Sequence, residues 1–338
     1  VISIFTLPVV IVFKNKIYKK ILIISSLFLF ILSIYIYGTY SINRNKGLLN
    51  YLDKNDKIYT KVISPNFELK YDLSIKEVEE KLKKLIRYSD PNPKQKTLFI
   101  WPEGVFTGYS YEDLSQFRNL FKNNFSEKHL ILFGINTYNQ EDEQFFNSLL
   151  VINNNFEILY QYNKIKLVPF GEFLPLENIF NQFGLKKITE GLGSFTAGVL
   201  QKNFVIDYLN ILPLICYEII FTELTQKANN KTNLIVNISE DGWFGNSVGP
   251  HQHLAKAIFR SVENDLFLVR SANKGISVIL SNKGEIIKKL DTNETGNIEM
   301  EIPLLKAEYR NKNDLIFFIL LFTYLLIFLI FKIKNNVK

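Results

Sequence analysis

Short apolar runs separated by polar turns fill the middle of the chain. Five of them are four or five residues long and rich in branched and aromatic side chains, which is typical of buried strands. Two longer segments, 146–162 and 276–290, are interrupted by Asn-rich or Gly-containing turns and predict β-hairpins. The predicted strands are 97–101, 130–134, 212–216, 234–238 and 266–269.

Two segments between these strands carry apolar residues at helical spacing. Residues 74–88 place Val78, Leu82 and Leu85 on one face, and residues 251–264 show the same periodicity. Sheets that include hairpins and are covered by helices pack in layers. The pattern therefore predicts a layered α/β sandwich rather than a purely parallel sheet, and the absence of a Pro-rich linker favours one soluble domain.

The two ends of the chain have a different pattern. Residues 21–40 are twenty residues without a charge, which is enough to cross a bilayer core of about 30 Å at roughly 1.5 Å per residue. Residues 315–331 form a second uncharged run, and residues 1–13 resemble the end of an earlier helix. Because the chain starts with Val and its only Met is Met300, we expect the natural protein to begin upstream.

A cleaved signal peptide is the alternative interpretation of the N-terminal region. In a signal peptide the charged residues precede a shorter apolar core and a cleavage site. Here an apolar segment, 1–13, comes before the lysines of residues 14–20. We therefore predict a membrane-spanning helix over 21–40.

The net charge of +7 is concentrated outside the predicted domain. Four lysines lie in residues 14–20 and three in residues 332–338, and neither segment contains an acid. Without these seven cations, basic and acidic residues are equal in number. The excess of basic residues thus indicates membrane topology and not a nucleic-acid surface. The positive-inside rule places both lysine clusters in the cytoplasm. Residues 41–314 then lie on the other side of the membrane.

Cys216 is the only cysteine of the chain, and it stands where an apolar run ends. A strand that turns into a helix at this point would present the thiol to converging N–H groups, which lower a thiol pKa and can bind an oxyanion. A lone Cys in an apolar strand is more often ordinary packing. Residues elsewhere in the chain favour the catalytic alternative.

Two other segments carry candidate chemistry. Glu103 follows a predicted strand and the rigid Pro102, which holds a carboxylate at the strand's end. Lys164 and Lys166 lie two residues apart, on one face if the strand continues, and Glu172 follows in a loop flanked by Pro and Gly. Taken alone, each of these residues could equally be a solvated charge.

The segment 241–245, Asp-Gly-Trp-Phe-Gly, predicts a tight turn that holds two aromatic side chains. Trp243 and Phe244 form either part of the core or an apolar rim. His251 and His253 are two residues apart, but the chain has only one further His and no acid at suitable spacing. We therefore predict no metal site.

Four ordered motifs together resemble the nitrilase, or carbon-nitrogen hydrolase, superfamily. More closely, they resemble its membrane-bound branch, the apolipoprotein N-acyltransferases. The resemblance covers about residues 58–305 and implies an α-β-β-α sandwich flanked by transmembrane helices. The motifs are Trp-Pro-Glu at 101–103, Leu-Val-Pro-Phe-Gly-Glu-Phe-Leu-Pro at 167–175, Cys-Tyr-Glu at 216–218 and Asp-Gly-Trp-Phe-Gly at 241–245.

The resemblance also implies roles for individual residues. Glu103 is the general base, Lys164 stabilises the thiolate and the oxyanion, and Cys216 is the nucleophile. Lys166 lies outside the aligned pattern and should matter less. The supporting residues are Glu172, Tyr217 and Glu218, and the acyl-pocket rim or lid is assigned to Trp243 and Phe244.

The family's reaction implies two lipid-anchored substrates. A phospholipid donates a fatty acyl group to Cys216, and the thioester passes it to the α-amino group of a diacylated apolipoprotein, with no cofactor, metal or nucleic acid. A membrane-tethered amidase that transfers the acyl group to water is the first alternative. A non-catalytic binding domain on the same fold is the second, although it would have no need of a thiol beside a base.

The implied location is the bacterial inner membrane, with several spans and the catalytic domain in the periplasm. The expected organisation is a membrane region 1–40 with a basic cytoplasmic loop 14–20, a connector 41–57, the nitrilase-like catalytic domain 58–305, a connector 306–314, a C-terminal transmembrane helix 315–331 and a cytoplasmic basic tail 332–338.

Overall fold

The computed structural model describes residues 16–49, 57–175, 194–200, 202–226, 231–305 and 322. Helix α1, Ile17–Leu49, includes the predicted span 21–40. Counting only residues that the structure describes in full, no helix is long and apolar enough to cross a membrane. The predicted spans therefore stay predictions, and residues 1–13 and 332–338, together with almost all of 315–331, lie outside the described residues.

The first of two six-stranded sheets has the strand order β12-β1-β2-β3-β4-β5. Its three central strands are parallel, whereas β12, β4 and β5 pair antiparallel to their neighbours. The strands are β1 Lys57–Ser64, β2 Thr97–Ile100, β3 His129–Asn139, β4 Gln144–Ile152, β5 Ile158–Asn163 and β12 Gly296–Pro303.

The second sheet has the order β11-β10-β9-β8-β7-β6, and its parallel strands are β7, β8 and β9. All five predicted strands and both hairpins are confirmed within a few residues, whereas β1, β6 and β12 were not predicted. The strands are β6 Phe204–Ile206, β7 Leu209–Ile215, β8 Leu234–Glu240, β9 Leu268–Asn273, β10 Ser277–Leu280 and β11 Ile286–Leu290.

Helices cover the outer face of each sheet. Helix α2, Ile75–Ser89, begins at a capping box in which Ser74 and Glu77 satisfy each other's backbone N–H groups. The short helices α3, Arg118–Asn124, and α4, Thr222–Thr225, follow in the chain, and α5, Gly249–Asn264, covers the second sheet. Both predicted helices are thus confirmed.

Three apolar cores define the layers. Val62 and Ile100 of the first sheet pack with Val236 and Val269 of the second in the central core. The predicted face of α2, including Leu82, joins the outer core of the first sheet, and α5 joins that of the second sheet. This arrangement is the predicted α-β-β-α sandwich.

The packing of α2 gives a stability prediction. Leu82 is fully buried, whereas its neighbour Lys83 is exposed in an i,i+4 ion pair with Glu79. We expect Leu82→Ala to lower the free energy of unfolding by about 2–5 kcal/mol, because it leaves a cavity. Lys83→Ala, the control, should change it by less than about 1 kcal/mol. Thermal unfolding in detergent checks this, and equal midpoints for both variants would contradict the packing of α2.

Candidate active site

The three predicted catalytic residues line one cavity of about 590 Å³. Glu103 follows the carboxyl end of β2, Lys164 follows β5, and Cys216 follows β7, so the site lies where the two sheets meet. Aromatic side chains supply much of the remaining wall. They are Tyr71, Phe106, Phe195, Tyr217, Trp243 and Phe244.

The Glu103 carboxylate is buried and bound on both of its oxygens. Oε1 accepts hydrogen bonds from Asn147 Nδ2 at 2.7 Å and from Lys164 Nζ at 3.3 Å. Oε2 accepts from the backbone N–H of Glu240 at 3.0 Å. A Cβ at Gly134 would lie 2.7 Å from the Glu103 Cα, so β3 can pass this close only because residue 134 has no side chain.

Lys164 lies between two carboxylates. Its Nζ is 2.8 Å from Glu172 Oε1 and 3.3 Å from Glu103 Oε1, and the side chain is 1% exposed. Burial alone would lower the lysine pKa, but Glu103 and Glu172 outweigh it, and the pKa is raised above its usual range. Lys164 is therefore a fixed cation.

Asn147 completes this cluster, and the sequence did not reveal it. One Nδ2 group donates both to Glu103 Oε1 and to Glu172 Oε1, each at 2.7 Å. Glu172 is further held by the backbone N–H of Val168 at 2.8 Å. Because Asn147 lies within an ordinary hairpin strand, no local signal distinguishes it.

Lys166 does not share a face with Lys164, so that expectation is wrong. Strand β5 ends at Asn163, and the alternation of faces ends with it. The Lys166 side chain is 39% exposed and lies 3.2 Å from Glu223 Oε1, outside the buried cluster. It also lies over the Phe221 ring.

Cys216 adopts a left-handed backbone conformation, with φ at +47°. Strand β7 ends at Ile215, and a 3₁₀ turn, Cys216–Ile220, follows directly. Such a conformation is uncommon for a residue with a side chain and persists only where its surroundings enforce it. The side chain is partly exposed at the cavity wall.

The predicted low pKa of the thiol is wrong. Desolvation raises the pKa of Cys216 above its usual range, and the nearby Glu103 carboxylate adds to this effect. Lys164 and a hydrogen bond with Ser239 act in the opposite direction without reversing it. The resting group is therefore a neutral thiol, and its activation requires a base.

Glu218 joins the segment of Lys164 to the turn of Cys216. Its Oε1 accepts from the Tyr162 hydroxyl and from the backbone N–H groups of residues 165 and 166, at 2.7 to 3.2 Å. Its Oε2 accepts from the Ile215 N–H at 2.8 Å. The side chain is fully buried. Glu218 therefore links the two segments through their backbone N–H groups. It makes no hydrogen bond to the Lys164 ammonium group.

The aromatic turn forms part of the cavity wall. Trp243 and Phe244 lie in a 3₁₀ turn, Gly242–Phe244, and are 49% and 39% exposed. Their alternative, burial in the core, is therefore excluded. Trp243 lies beside Tyr71, and Phe244 contacts the ring of His253 edge to face.

Two further buried groups at the cavity were not predicted as site residues. Glu240 accepts from the Gly242 N–H and from Asn273 Nδ2, each at 2.7 Å, and burial raises its pKa to about 8. His253 is 5% exposed and lies 3.1 Å from the Cys216 carbonyl oxygen. No cluster of His, Cys, Asp and Glu suited to a metal ion occurs among the described residues.

Comparisons with solved structures identify the same architecture. The chain superposes on a Saccharomyces cerevisiae protein, Nit3 of branch 10 of the nitrilase superfamily, with a TM-score of 0.52, 14% identity and coverage of 73% of this chain and 90% of that one. A carbon-nitrogen hydrolase from Helicobacter pylori gives a TM-score of 0.53 and 14% identity, covering 74% and 90%. At 14% sequence identity these similarities show a shared fold and nothing about function.

Sequence comparisons narrow the relationship. The chain is 32% identical over 297 residues to an apolipoprotein N-acyltransferase of Rickettsia prowazekii, covering 86% of this chain and 58% of that protein. It is 42% identical over 160 residues to one from Rhizobium leguminosarum, covering 47% and 30%. The chain thus spans less than two thirds of these relatives. Residues 71–309 match the carbon-nitrogen hydrolase family, and the chain belongs to that family.

Proposed function

We propose that the chain carries the catalytic domain of a lipoprotein N-acyltransferase. In this proposal, Cys216 takes a fatty acyl group from a phospholipid and passes it to the α-amino group of a diacylated apolipoprotein. The observation that carries the proposal is one apolar-walled cavity containing a thiol, a buried carboxylate and a fixed cation. The relatives named as apolipoprotein N-acyltransferases support the choice of substrates.

The first half-reaction forms a thioester. Glu103 takes the proton of the neutral Cys216 thiol, and the sulfur attacks the carbonyl carbon of the donor ester. The tetrahedral oxyanion is stabilised by Lys164 and by the backbone N–H of Tyr217. When the intermediate collapses, the ester C–O bond breaks and Glu103 returns the proton to the departing lysophospholipid alkoxide.

The second half-reaction uses the same groups in the opposite direction. The neutral amine of the acceptor attacks the thioester carbonyl, and Glu103 takes one of its protons. The C–S bond then breaks, and the proton returns to the Cys216 sulfur. Because an amide is more stable than a thioester, transfer to an amine proceeds to completion without a cofactor.

The cavity wall favours an amine acceptor that arrives on a lipid. Trp243 and Phe244 present exposed aromatic surface at the cavity, where an acyl chain can bury them and limit the access of water to the thioester. A tethered amidase remains the second candidate, because the nitrilase-like fold is shared with hydrolases. The fate of the acyl group distinguishes the two.

Glu172 and Asn147 position the cation rather than react. Lys164 approaches Glu172 more closely than Glu103, by 2.8 Å against 3.3 Å. Glu172 therefore remains as a counter-charge when Glu103 exchanges a proton, while Asn147 fixes the distance between the two carboxylates. This arrangement leaves Glu103 free to exchange a proton without losing the charge balance of Lys164.

Glu240 is adjacent to the base, and its raised pKa means that it is largely protonated at neutral pH. A second carboxylate here would repel the charge on Glu103. Neutral Glu240 therefore adds no second negative charge beside the base. Its backbone N–H also donates a hydrogen bond to Glu103 Oε2 and so helps to hold the base in place.

Membrane attachment completes the proposal. The uncharged runs 21–40 and 315–331 would anchor the domain at both ends in the bacterial inner membrane, with the lysine clusters in the cytoplasm and the cavity on the periplasmic side. An anchored domain is suited to two substrates that remain in the lipid phase.

The thioester is the first test. The protein in detergent is incubated with phospholipid and analysed by intact-protein mass spectrometry. We expect a fatty-acyl increment that neutral hydroxylamine removes and that a diacylated lipopeptide discharges. Cys216→Ala should still fold, because only one small side chain is shortened. It should carry no adduct, because it has no thiol to acylate. Release of free acid or ammonia from small amides, with no adduct, would instead favour the amidase.

The two neighbouring lysines provide a matched pair. Lys164→Ala should lower the rate of acylation by at least about a hundredfold, because it removes an oxyanion donor and leaves two buried carboxylates without their cation. Lys166→Ala, at an exposed ion pair, should change the rate by less than about threefold. Equal losses in single-turnover acylation would show that the assignment of Lys164 is wrong.

Glu240 predicts a pH dependence of stability. Its carboxyl keeps a proton up to about pH 8 in the folded protein, whereas the unfolded chain releases it near pH 4.5. Unfolding therefore releases a proton in this window, and this group's contribution to stability declines as pH rises from about 5 to about 8, by on the order of several kcal/mol in total. Below pH 4.5 the effect disappears.

The variant Glu240→Gln isolates this effect, because an amide mimics the protonated acid. Thermal midpoints of wild type and variant, measured in detergent across this pH range, should diverge as pH rises, with the variant more stable at pH 8. A constant difference between the two proteins would mean that Glu240 does not titrate in the window.

A further inference from the structure

His253 lies behind the nucleophile, on α5, and belongs to a buried polar network. Its Nε2 is 3.1 Å from the Cys216 carbonyl oxygen. Its Nδ1 is 3.0 Å from Asp241 Oδ1 and 3.0 Å from Arg270 Nη2. None of these contacts involves the thiol itself, so the ring touches the nucleophile only through its backbone.

The network fixes the charge of the ring. Asp241 and Arg270 form a fully buried ion pair in which Nη2 is 2.8 Å from both carboxylate oxygens. Burial lowers the pKa of His253, and the Arg270 cation lowers it further, although Asp241 opposes both. A second buried cation beside Arg270 would leave excess positive charge, so the imidazole is neutral.

A neutral ring has one N–H, and the contacts indicate which nitrogen carries it. Asp241 Oδ1 already accepts from the Ser239 hydroxyl at 2.7 Å and from Arg270. Arg270 Nη2 has two hydrogens, one for the carboxylate and one for an acceptor at His253 Nδ1. With Nδ1 as the acceptor, Nε2–H donates to the Cys216 carbonyl. The opposite tautomer would place two lone pairs against each other at 3.1 Å with no donor between them. The Nε2–H tautomer places the Nδ1 lone pair 3.0 Å from Asp241 Oδ1, but there Arg270 Nη2 lies within 3.0 Å of both atoms and offsets the repulsion.

The Cys216 carbonyl shares a rigid plane with the N–H of Tyr217. In a trans peptide these two groups point in opposite directions, so a hydrogen bond that fixes one also fixes the other. The 3₁₀ turn begins here, and the first N–H groups of a helical turn have no partner within it. The Tyr217 N–H is the backbone donor of the proposed oxyanion site.

We propose that His253 is a positioning residue: as the Nε2–H tautomer, held by Arg270 and Asp241, it fixes the Cys216–Tyr217 peptide so that the Tyr217 N–H is oriented for the oxyanion. The inference rests on the proposed acyl chemistry at Cys216 and does not depend on the natural acyl donor. The hydrogen bond from His253 thus falls on the peptide that follows the left-handed residue Cys216.

The tautomer is measured first, in the whole protein in detergent. Long-range ¹H–¹⁵N correlation of ¹⁵N-histidine distinguishes the two neutral tautomers and the imidazolium form. The chain has only three histidines, so His251→Gln and His253→Gln assign the signals. We expect His253 as the Nε2–H tautomer at pH 7. An Nδ1–H tautomer would overturn the proposal, because Nε2 could then not donate to the carbonyl. An imidazolium would also overturn it, because the ring would then not be the neutral acceptor of the Arg270 hydrogen bond.

The kinetic test uses p-nitrophenyl butyrate, whose acylation of a thiol releases a coloured burst. His253→Leu keeps the bulk of the ring but has no donor, whereas the amide nitrogen of His253→Gln can occupy the place of Nε2. We expect the leucine variant to acylate about tenfold more slowly with KM unchanged, less than the hundredfold or more that follows loss of a whole oxyanion donor. The glutamine variant should stay within about threefold of wild type.

His251→Gln is the matched control, because His251 is exposed on the same helix. Equal rates for wild type and His253→Leu, or equal losses in His253→Leu and His253→Gln, would overturn the positioning role. If His253→Leu does not fold, two measurements decide whether His253 has the positioning role. They are the tautomer seen by NMR and the acylation rate of His253→Gln. A wild type that reacts with the aryl ester but not with phospholipid would refute the proposed function and leave the role of His253 standing. A wild type that reacts with neither would overturn both.

Discussion

The ammonium group of Lys164 is the charge around which the site is built. A buried cation is unfavourable unless carboxylates and hydrogen bonds surround it, and removing one partner of such a pair is costlier than removing both. Glu103 and Glu172 provide the charge, and Asn147 holds the two carboxylates together. Each member is therefore restrained by the others, which makes the cluster rigid before any substrate arrives.

A second restraint links this cluster to the nucleophile. The Glu218 carboxylate accepts hydrogen bonds from backbone N–H groups of two segments. One segment follows β5 of the first sheet, and the other is Ile215 at the end of β7 in the second sheet. One carboxylate thus sets the spacing between Lys164 and Cys216, although it makes no hydrogen bond to either reacting group. Packing of the two sheets alone leaves such a distance less tightly defined than a set of directional hydrogen bonds does.

The sequence predicted what local patterns encode. Strands such as β2 and β8 have continuous apolar runs, and α2 has a clear periodicity and a capping box, so each could be recognised without its neighbours. Strands β1 and β12 were not predicted, because the local sequence of each is only weakly apolar. Each is stabilised by pairing with the other, more than 200 residues away in the chain. The resemblance to a family supplied Glu103, Lys164 and Cys216, which the structure brings together at one cavity.

What the sequence could not predict depends on burial and on long-range contacts. The thiol pKa was expected to be low from the turn alone, but desolvation and Glu103 dominate once the domain has folded. Asn147, Glu240 and His253 have no local signature, since each acts on a residue in another strand or turn. The two histidines of α5 were considered only as a possible metal pair and discounted together, whereas folding exposes one and buries the other.

A neutral resting thiol is well suited to a two-step acyl transfer. If Cys216 were a stable thiolate of low pKa, its sulfur would be intrinsically less nucleophilic and would leave more easily from the tetrahedral intermediate. With a raised pKa, the sulfur gains its charge only when Glu103 takes the proton, and the same proton is available for the departing group. Glu103 can then act in both half-reactions, provided that Lys164 stays charged throughout. The short contact between Lys164 and Glu172 maintains that charge whether or not Glu103 is protonated, so the cation is always present where the oxyanion forms.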